Sequence, residues 1–203
     1  MCGIIGIVGN KAVADRMLYG LRRLEYRGYD SAGIAVCTGT SIERRRAAGK
    51  LFNLEKAVDD HPATGVRGIG HTRWATHGAP TVANAHPLVS GRVAVVHNGI
   101  IENFKEVREA MRAKGKTIET DTDTEVVAHV IDDFLSQGMV PKAAVQAALT
   151  ELRGAYALAI MVDGDSETLY AARKGSPLVI GHGHNEMYLG SDAIALAHLT
   201  NPL

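Results

Sequence analysis

The residue with the most chemistry to offer is Cys2, directly behind the initiator methionine and at the head of the run Cys2-Gly3-Ile4-Ile5-Gly6-Ile7-Val8-Gly9. Removal of Met1 would place a thiol and a free α-amine on one residue. A thiol titrates near pH ~8.5 and an α-amine near ~7.7 to 8, so the amine can take the thiol proton close to neutrality without a separate histidine. Cys2 is thus a candidate nucleophile that carries its own base. The structural alternative is that a small second residue merely permits methionine removal.

Three further segments concentrate polar residues where they interrupt apolar runs: Tyr26-Arg27-Gly28-Tyr29-Asp30-Ser31, His71-Thr72-Arg73-Trp74-Ala75-Thr76-His77-Gly78 and His97-Asn98-Gly99-Ile100-Ile101-Glu102-Asn103. A strand that ends in a polar, glycine-bearing turn holds such groups rigidly. Asn98-Gly99 is a hairpin-turn dipeptide. It is equally a pair of donors, a side-chain amide and a backbone N–H, able to hold the oxyanion formed when a thiolate adds to a carbonyl. Arg73 could cover a sheet edge or grip a carboxylate through two parallel hydrogen bonds, with Thr76, His77 and Gly78 as a polar loop around it. Trp74 could be core. Asp123 in the first turn of a helix is favoured by the helix dipole alone. Paired with Arg73, it would complete a site with a cation for an α-carboxylate and an anion for an α-ammonium.

The remaining signals exclude more than they propose. With 22 basic and 22 acidic residues among 203 the net charge is zero, so no global field favours a nucleic-acid or anionic membrane partner. Arg44, Arg45 and Arg46 read as a solvated strand edge. Two cysteines imply no disulfide framework, and Cys37 reads as a small buried hydrophobe. No segment reaches the ~18 apolar residues needed to span a bilayer, and no basic region precedes the N-terminal apolar run, so a cytoplasmic location is expected. Gly3, Gly6 and Gly9 have the wrong spacing for a dinucleotide fingerprint, and no P-loop is present. The nine histidines lack zinc-site spacing; His182-Gly183-His184 reads as a surface turn.

The elements that must position these groups follow from periodicity. Strands are predicted at residues 4–8, 33–37, 42–47, 66–71, 93–97, 155–162, 168–172, 178–180 and 187–189. Residues 155–162 and 168–172 form a hairpin across Asp163-Gly164-Asp165-Ser166. Helices are predicted at 11–24 and 103–113, then after a capping box Thr122-Asp123-Thr124-Glu125, and again from Pro141. Strands come in blocks with helices between them. The fold class is therefore α+β, with antiparallel sheets layered against helices in one domain.

The segments CGIIGIVG, LRRLEYRGYDSAGIAV, HTRWATHGAP, NAHPL, VVHNGIIEN, ETDTEV, LRGAYALAIM and ARKGSPLVIG together resemble one family, the N-terminal glutaminase domains of the glutamine–fructose-6-phosphate aminotransferases, or glucosamine-6-phosphate synthases, within the class II glutamine amidotransferases. The resemblance implies an N-terminal-nucleophile hydrolase fold, a four-layer α/β/β/α sandwich of mainly antiparallel sheets, filling residues 1–203 with its last elements cut short and the sugar-isomerase domains absent. It implies hydrolysis of L-glutamine to glutamate and ammonia with no cofactor or metal. Cys2 would be the nucleophile, Asn98 and Gly99 the oxyanion donors, Arg73 the partner of the glutamine carboxylate and Asp123 that of its amine. Thr76 and His77 would complete the pocket, Trp74 would belong to the loop that closes over it, and Arg27 would support residue 2. Fructose 6-phosphate would be a partner only through the isomerase domains of a full, homo-oligomeric enzyme, whose product would be glucosamine 6-phosphate. The alternative is a module that keeps the fold and the glutamine pocket behind an unprocessed N-terminus and performs no chemistry.

Overall fold

Side-chain alternation along the first strand, β1 (Gly3–Val8), sets the architecture, because Ile4 faces one way and Ile5 and Ile7 the other and all three are fully buried. A strand buried on both faces needs a layer on each. The computed structural model describes residues 2–39, 41–75 and 78–200, and it supplies both. Ile5 and Ile7 pack with α1 (Ala14–Arg22) and α2 (Leu51–Asp60), through Met17, Leu18, Leu21, Leu51, Leu54 and Val58. Ile4 instead packs against a second sheet.

The first sheet runs β3-β2-β4-β1-β10-β9, formed by β2 (Ser31–Cys37), β3 (Ile42–Ala48), β4 (Arg67–Arg73), β9 (Val179–Gly183) and β10 (Glu186–Gly190) around β1. The second runs β5-β6-β7-β8, from β5 (Leu88–Ser90), β6 (Val93–Ile101), β7 (Gly154–Val162) and β8 (Tyr170–Lys174). All pairings between these strands are antiparallel. The outer face of the second sheet is covered by α3 (Phe104–Ala113), α4 (Glu125–Ser136) and α5 (Pro141–Glu151), through Val107, Met111, Val127, Ile131, Val145 and Ala148. The result is the expected four-layer α/β/β/α sandwich. Its middle, between the sheets, holds Ile4, Ala35, Cys37, Ile69, Ala94, Val96, Ala157, Ala159, Met161 and Leu189. Cys37 is therefore the buried hydrophobe expected of it.

Several local expectations need correction. Helix α2 and strand β5 are additional elements. Residues 51, 54 and 58 do recur at helical spacing, yet Lys50 at the N-cap offers no capping oxygen. The hydroxyl of Tyr29 takes that place, accepting the Leu51 N–H at 2.8 Å while it bonds Glu25. The capping box is half formed. Thr122 Oγ1 accepts the Glu125 N–H at 3.4 Å, but the Glu125 carboxylate turns away to the N–H groups of Glu119 and Thr120, at 2.9 and 2.6 Å. The arginines of β3 are tethers rather than a solvated edge. Arg44 donates to the Pro87 carbonyl at 3.2 Å, Arg46 to those of Ala83 and Ala85 at 2.8 and 2.9 Å, and Arg45, on the other face, to His61 at 2.6 Å. Burial pulls the Arg46 guanidinium down to about 10. His182 lies on strand β9 rather than in a turn.

Candidate active site

The site is the continuation of the inter-sheet layer past its last apolar residues. Period-two alternation puts Cys2 on the same face as Ile4, His71 and Arg73 on that of Ile69, and Asn98 on that of Ala94 and Val96. Towards this end of the layer the same inward positions carry polar groups instead of methyls. They border a cavity of about 290 Å³ lined by Cys2, Arg27, Arg73, Trp74, Asn98, Gly99 and Asp123, with His86, His97, Thr124 and Ser176. That volume is at the small end for ligand sites and suits a molecule of amino-acid size.

Cys2 is half-buried. Its Sγ accepts the Trp74 backbone N–H at 3.2 Å and lies 3.4 Å from the Trp74 carbonyl, to which the S–H can donate. Burial raises the pKa of the thiol, outweighing the Trp74 N–H and nearby positive charge, Arg73 included. The proton therefore stays on sulfur at neutral pH unless a base removes it. The Cys2 carbonyl accepts the Asn98 Nδ2–H at 3.1 Å and Arg27 Nη1–H at 3.3 Å. Arg27 is fixed in turn by Asp192 at 2.6 Å and by Ser191 Oγ, which also accepts the Ile4 N–H.

Asn98 and Gly99 form no hairpin turn. Both lie inside β6, paired with Ala157 and Tyr156 of β7. Gly99 is needed for two reasons: its φ is 115°, and a Cβ there would lie 2.1 Å from the Ala155 carbonyl oxygen. The Asn98 amide carries a second N–H beside the one on Cys2.

Arg73 is buried and donates to the Gly78 and Ala79 carbonyls at 3.1 and 3.2 Å, with Asp30 at 3.9 Å. Asp30 also accepts the Ala75 N–H at 2.5 Å, and its own N–H bonds the Arg73 carbonyl at 2.7 Å. It therefore locks the strand end that carries Arg73 and Trp74. The Trp74 side chain is 52% exposed and lies over Gly28, where any Cβ would meet the indole at 2.7 Å. Trp74 is not core. Asp123 precedes α4 by two residues and is buried, its Oδ2 accepting the Ile101 N–H at 2.9 Å and its Oδ1 3.7 Å from His97 Nδ1. Thr76 and His77 lie outside the described residues.

In the cavity wall and just behind it sit groups that sequence reasoning left without a role. His71 Nε2 is 2.9 Å from the His97 carbonyl and 3.0 Å from Asn98 Oδ1, and its ring stacks on His86 at 4.4 Å. His86 Nε2 and His97 Nδ1 share the Thr124 hydroxyl, at 2.7 and 3.0 Å. Burial lowers the His71 pKa to about 3 and that of His86 well below its usual value, so both are neutral. Their spacing along the chain is irregular and offered no periodic signal. Among the described residues no group of three or more His, Cys, Asp or Glu side chains could hold a metal ion, and no helix is long and apolar enough to cross a membrane.

Comparison with known proteins accords with this geometry. Residues 71–198, more than half of the chain, match the glutamine amidotransferase domain family. The chain is 58% identical over 201 residues to glutamine–fructose-6-phosphate aminotransferase [isomerizing] of Caulobacter vibrioides, and 57% identical over 203 residues to its counterpart in Bradyrhizobium diazoefficiens. These matches cover 99% and 100% of this chain but 33% of each relative, so the chain spans about a third of their length. The solved glutamine phosphoribosylpyrophosphate amidotransferase of B. subtilis superposes with a TM-score of 0.83 at 30% identity, over 97% of this chain and 43% of that one. A glutamine aminotransferase class-II domain protein of Silicibacter pomeroyi shares the fold, with a TM-score of 0.63 at 19% identity. The family match over more than half of the chain, together with this four-layer frame around Cys2 and Asn98, places the chain in the family of glutamine amidotransferase domains with an N-terminal-nucleophile hydrolase fold.

Proposed function

We propose that residues 1–203 form one glutaminase domain, in which Cys2, freed of Met1, splits the side-chain carboxamide of L-glutamine. The observation that carries this reading is the convergence on one cavity of Cys2, Asn98, Gly99, Arg73 and Asp123, which come from four separated stretches of chain. The α-amine of Cys2 takes the thiol proton, and the thiolate adds to the carboxamide carbon. The second Asn98 N–H and the Gly99 N–H receive the developing oxyanion. The C–N bond then breaks, and ammonia leaves with the proton returned by the amine. Water, deprotonated by the same amine, hydrolyses the thioester to glutamate and restores the thiol. Arg73 holds the α-carboxylate, Asp123 the α-ammonium, and Thr76 and His77 complete the pocket. Trp74 covers it, and Arg27 steadies the carbonyl of residue 2.

The longer relatives are named as aminotransferases of glutamine and fructose 6-phosphate. We propose that the ammonia released here goes to that sugar: isomerase domains of a homo-oligomeric cytoplasmic enzyme bind fructose 6-phosphate and convert it to glucosamine 6-phosphate. The test is direct. Chains shown by mass spectrometry to lack Met1 are given L-glutamine, and glutamate and ammonia are measured. Equimolar release of the two is expected, and chains retaining Met1 should release neither. A Met1-free, folded chain that binds glutamine without hydrolysing it would overturn the reading in favour of a binding module.

A further inference from the structure

We infer that His71 is a positioning residue that fixes which way the Asn98 amide points, and thereby arms the oxyanion site. This inference rests on the glutaminase reading. The His97 carbonyl can only accept a hydrogen bond, so His71 Nε2, 2.9 Å from it, must carry the proton. That proton also faces Asn98 at 3.0 Å, where the oxygen of the amide must sit, leaving the NH₂ group towards Cys2. A flipped amide would set NH₂ against the His71 N–H and oxygen against the Cys2 carbonyl, two repulsions in place of two hydrogen bonds. One backbone carbonyl thus selects the tautomer, and the tautomer selects the amide orientation.

Placement gives the contact a second consequence. His71 lies on β4 of the first sheet and Asn98 on β6 of the second, both facing the layer between them. Their hydrogen bond ties the sheet that carries Cys2 to the sheet that carries its oxyanion donor. His71 is kept neutral by burial, and its ring is held by the stack on His86. His86 belongs to the 83–87 segment tethered by Arg44 and Arg46.

The experiment compares His71→Leu with His71→Gln, whose Nε2 can reach the same acceptors. In the Met1-free chain, His71→Leu should lower kcat for glutamine roughly 10- to 100-fold, with KM changed less than threefold. It should weaken an aldehyde analogue of glutamine, which adds the thiolate to form a tetrahedral adduct, by the same factor as kcat/KM. His71→Gln should recover most of the loss. A folded His71→Leu chain with kcat within threefold of the unsubstituted one, or a His71→Gln chain as impaired as His71→Leu, overturns the inference while the glutaminase reading stands. If the unsubstituted chain releases no ammonia, it is the glutaminase reading that fails. In that case, or if His71→Leu does not fold, ¹⁵N NMR of the unsubstituted chain decides. A neutral, Nε2-protonated His71 and slowly exchanging Asn98 Nδ2 protons are expected, and an Nδ1-protonated ring overturns the inference.

Discussion

The layer between the two sheets has two ends built on one repeat. At one end the inward positions of β1, β4, β6 and β7 are Ile4, Ile69, Val96, Ala159 and Met161, a dry core of fully buried side chains. At the other end the same rows continue as Cys2, His71, Arg73 and Asn98; Asn98 is hydrogen-bonded to both Cys2 and His71, and Cys2, Arg73 and Asn98 line the cavity. The backbone register does not change between them. What changes is chemistry: methyl groups resist unfolding by removing apolar surface from water, whereas the polar end is held only where each donor finds an acceptor. A packed sandwich thus acts as the jig for the site, and substitutions at its two ends should separate stability from turnover.

The largest effect is expected at the polar end. Cys2→Ala should remove glutamine hydrolysis by at least ~10³-fold while leaving the melting temperature nearly unchanged, since the residue is only half-buried. Where Cys2 is intact, kcat should rise with pH as the α-amine loses its proton near pH ~7.7 to 8, because the base must be neutral to act. Next, Asn98→Ala should cost on the order of 3 to 4 kcal/mol in the barrier and leave glutamine binding in place. An unchanged turnover number would remove Asn98 from the mechanism. At the apolar end, Ile69→Ala should destabilise the fold by about 2 to 5 kcal/mol in denaturant titration, with kcat per folded molecule preserved. If kcat fell instead, the two ends would not be separable.

Asp123→Asn keeps an oxygen for the Ile101 N–H but discards the charge. It should raise KM for glutamine about tenfold and not affect binding of an analogue without the α-amine. The smallest effect concerns acid stability. The Glu125 carboxyl is held down to about 2, its burial outweighed by the His129 hydrogen bond and the N–H groups of Glu119 and Thr120. A carboxyl depressed on folding stabilises above its unfolded pKa of ~4.3, and that contribution is lost as pH falls towards 2. Glu125→Gln should therefore lower the melting temperature by about 3 °C at pH 7 and flatten its fall between pH ~4 and ~2.

Much of this was legible in one dimension. The short apolar runs that make β1, β6 and β7, the helical spacing of Met17 and Leu21, and Pro141 at the start of α5 are local patterns, and the structure follows them. Arg73 and Asn98 stood out because polar residues there interrupt apolar runs, whereas Asp123 read alone as a helix-start acid and gained a site role only as a partner to Arg73. The misses share a cause. The α2 start is capped by Tyr29, 22 residues away, and the β3 arginines are tethers only because residues 83–87 pass beside them. The support given by Asp30, Ser191 and Asp192 crosses between distant strands in the same way.

By itself, then, the sequence determined the list of reactive groups, the class of fold and the face on which most strand residues lie, since residue chemistry and period-two alternation are properties of neighbours along the chain. Only the tertiary structure decided that Cys2 meets Asn98 across two sheets, that Gly99 lies within a strand, and that His71 orients the amide. Those facts depend on which strands stack and in what register. That is settled by the burial of Ile4, Ile69, Ala94 and Val96 against one another, not by any segment alone.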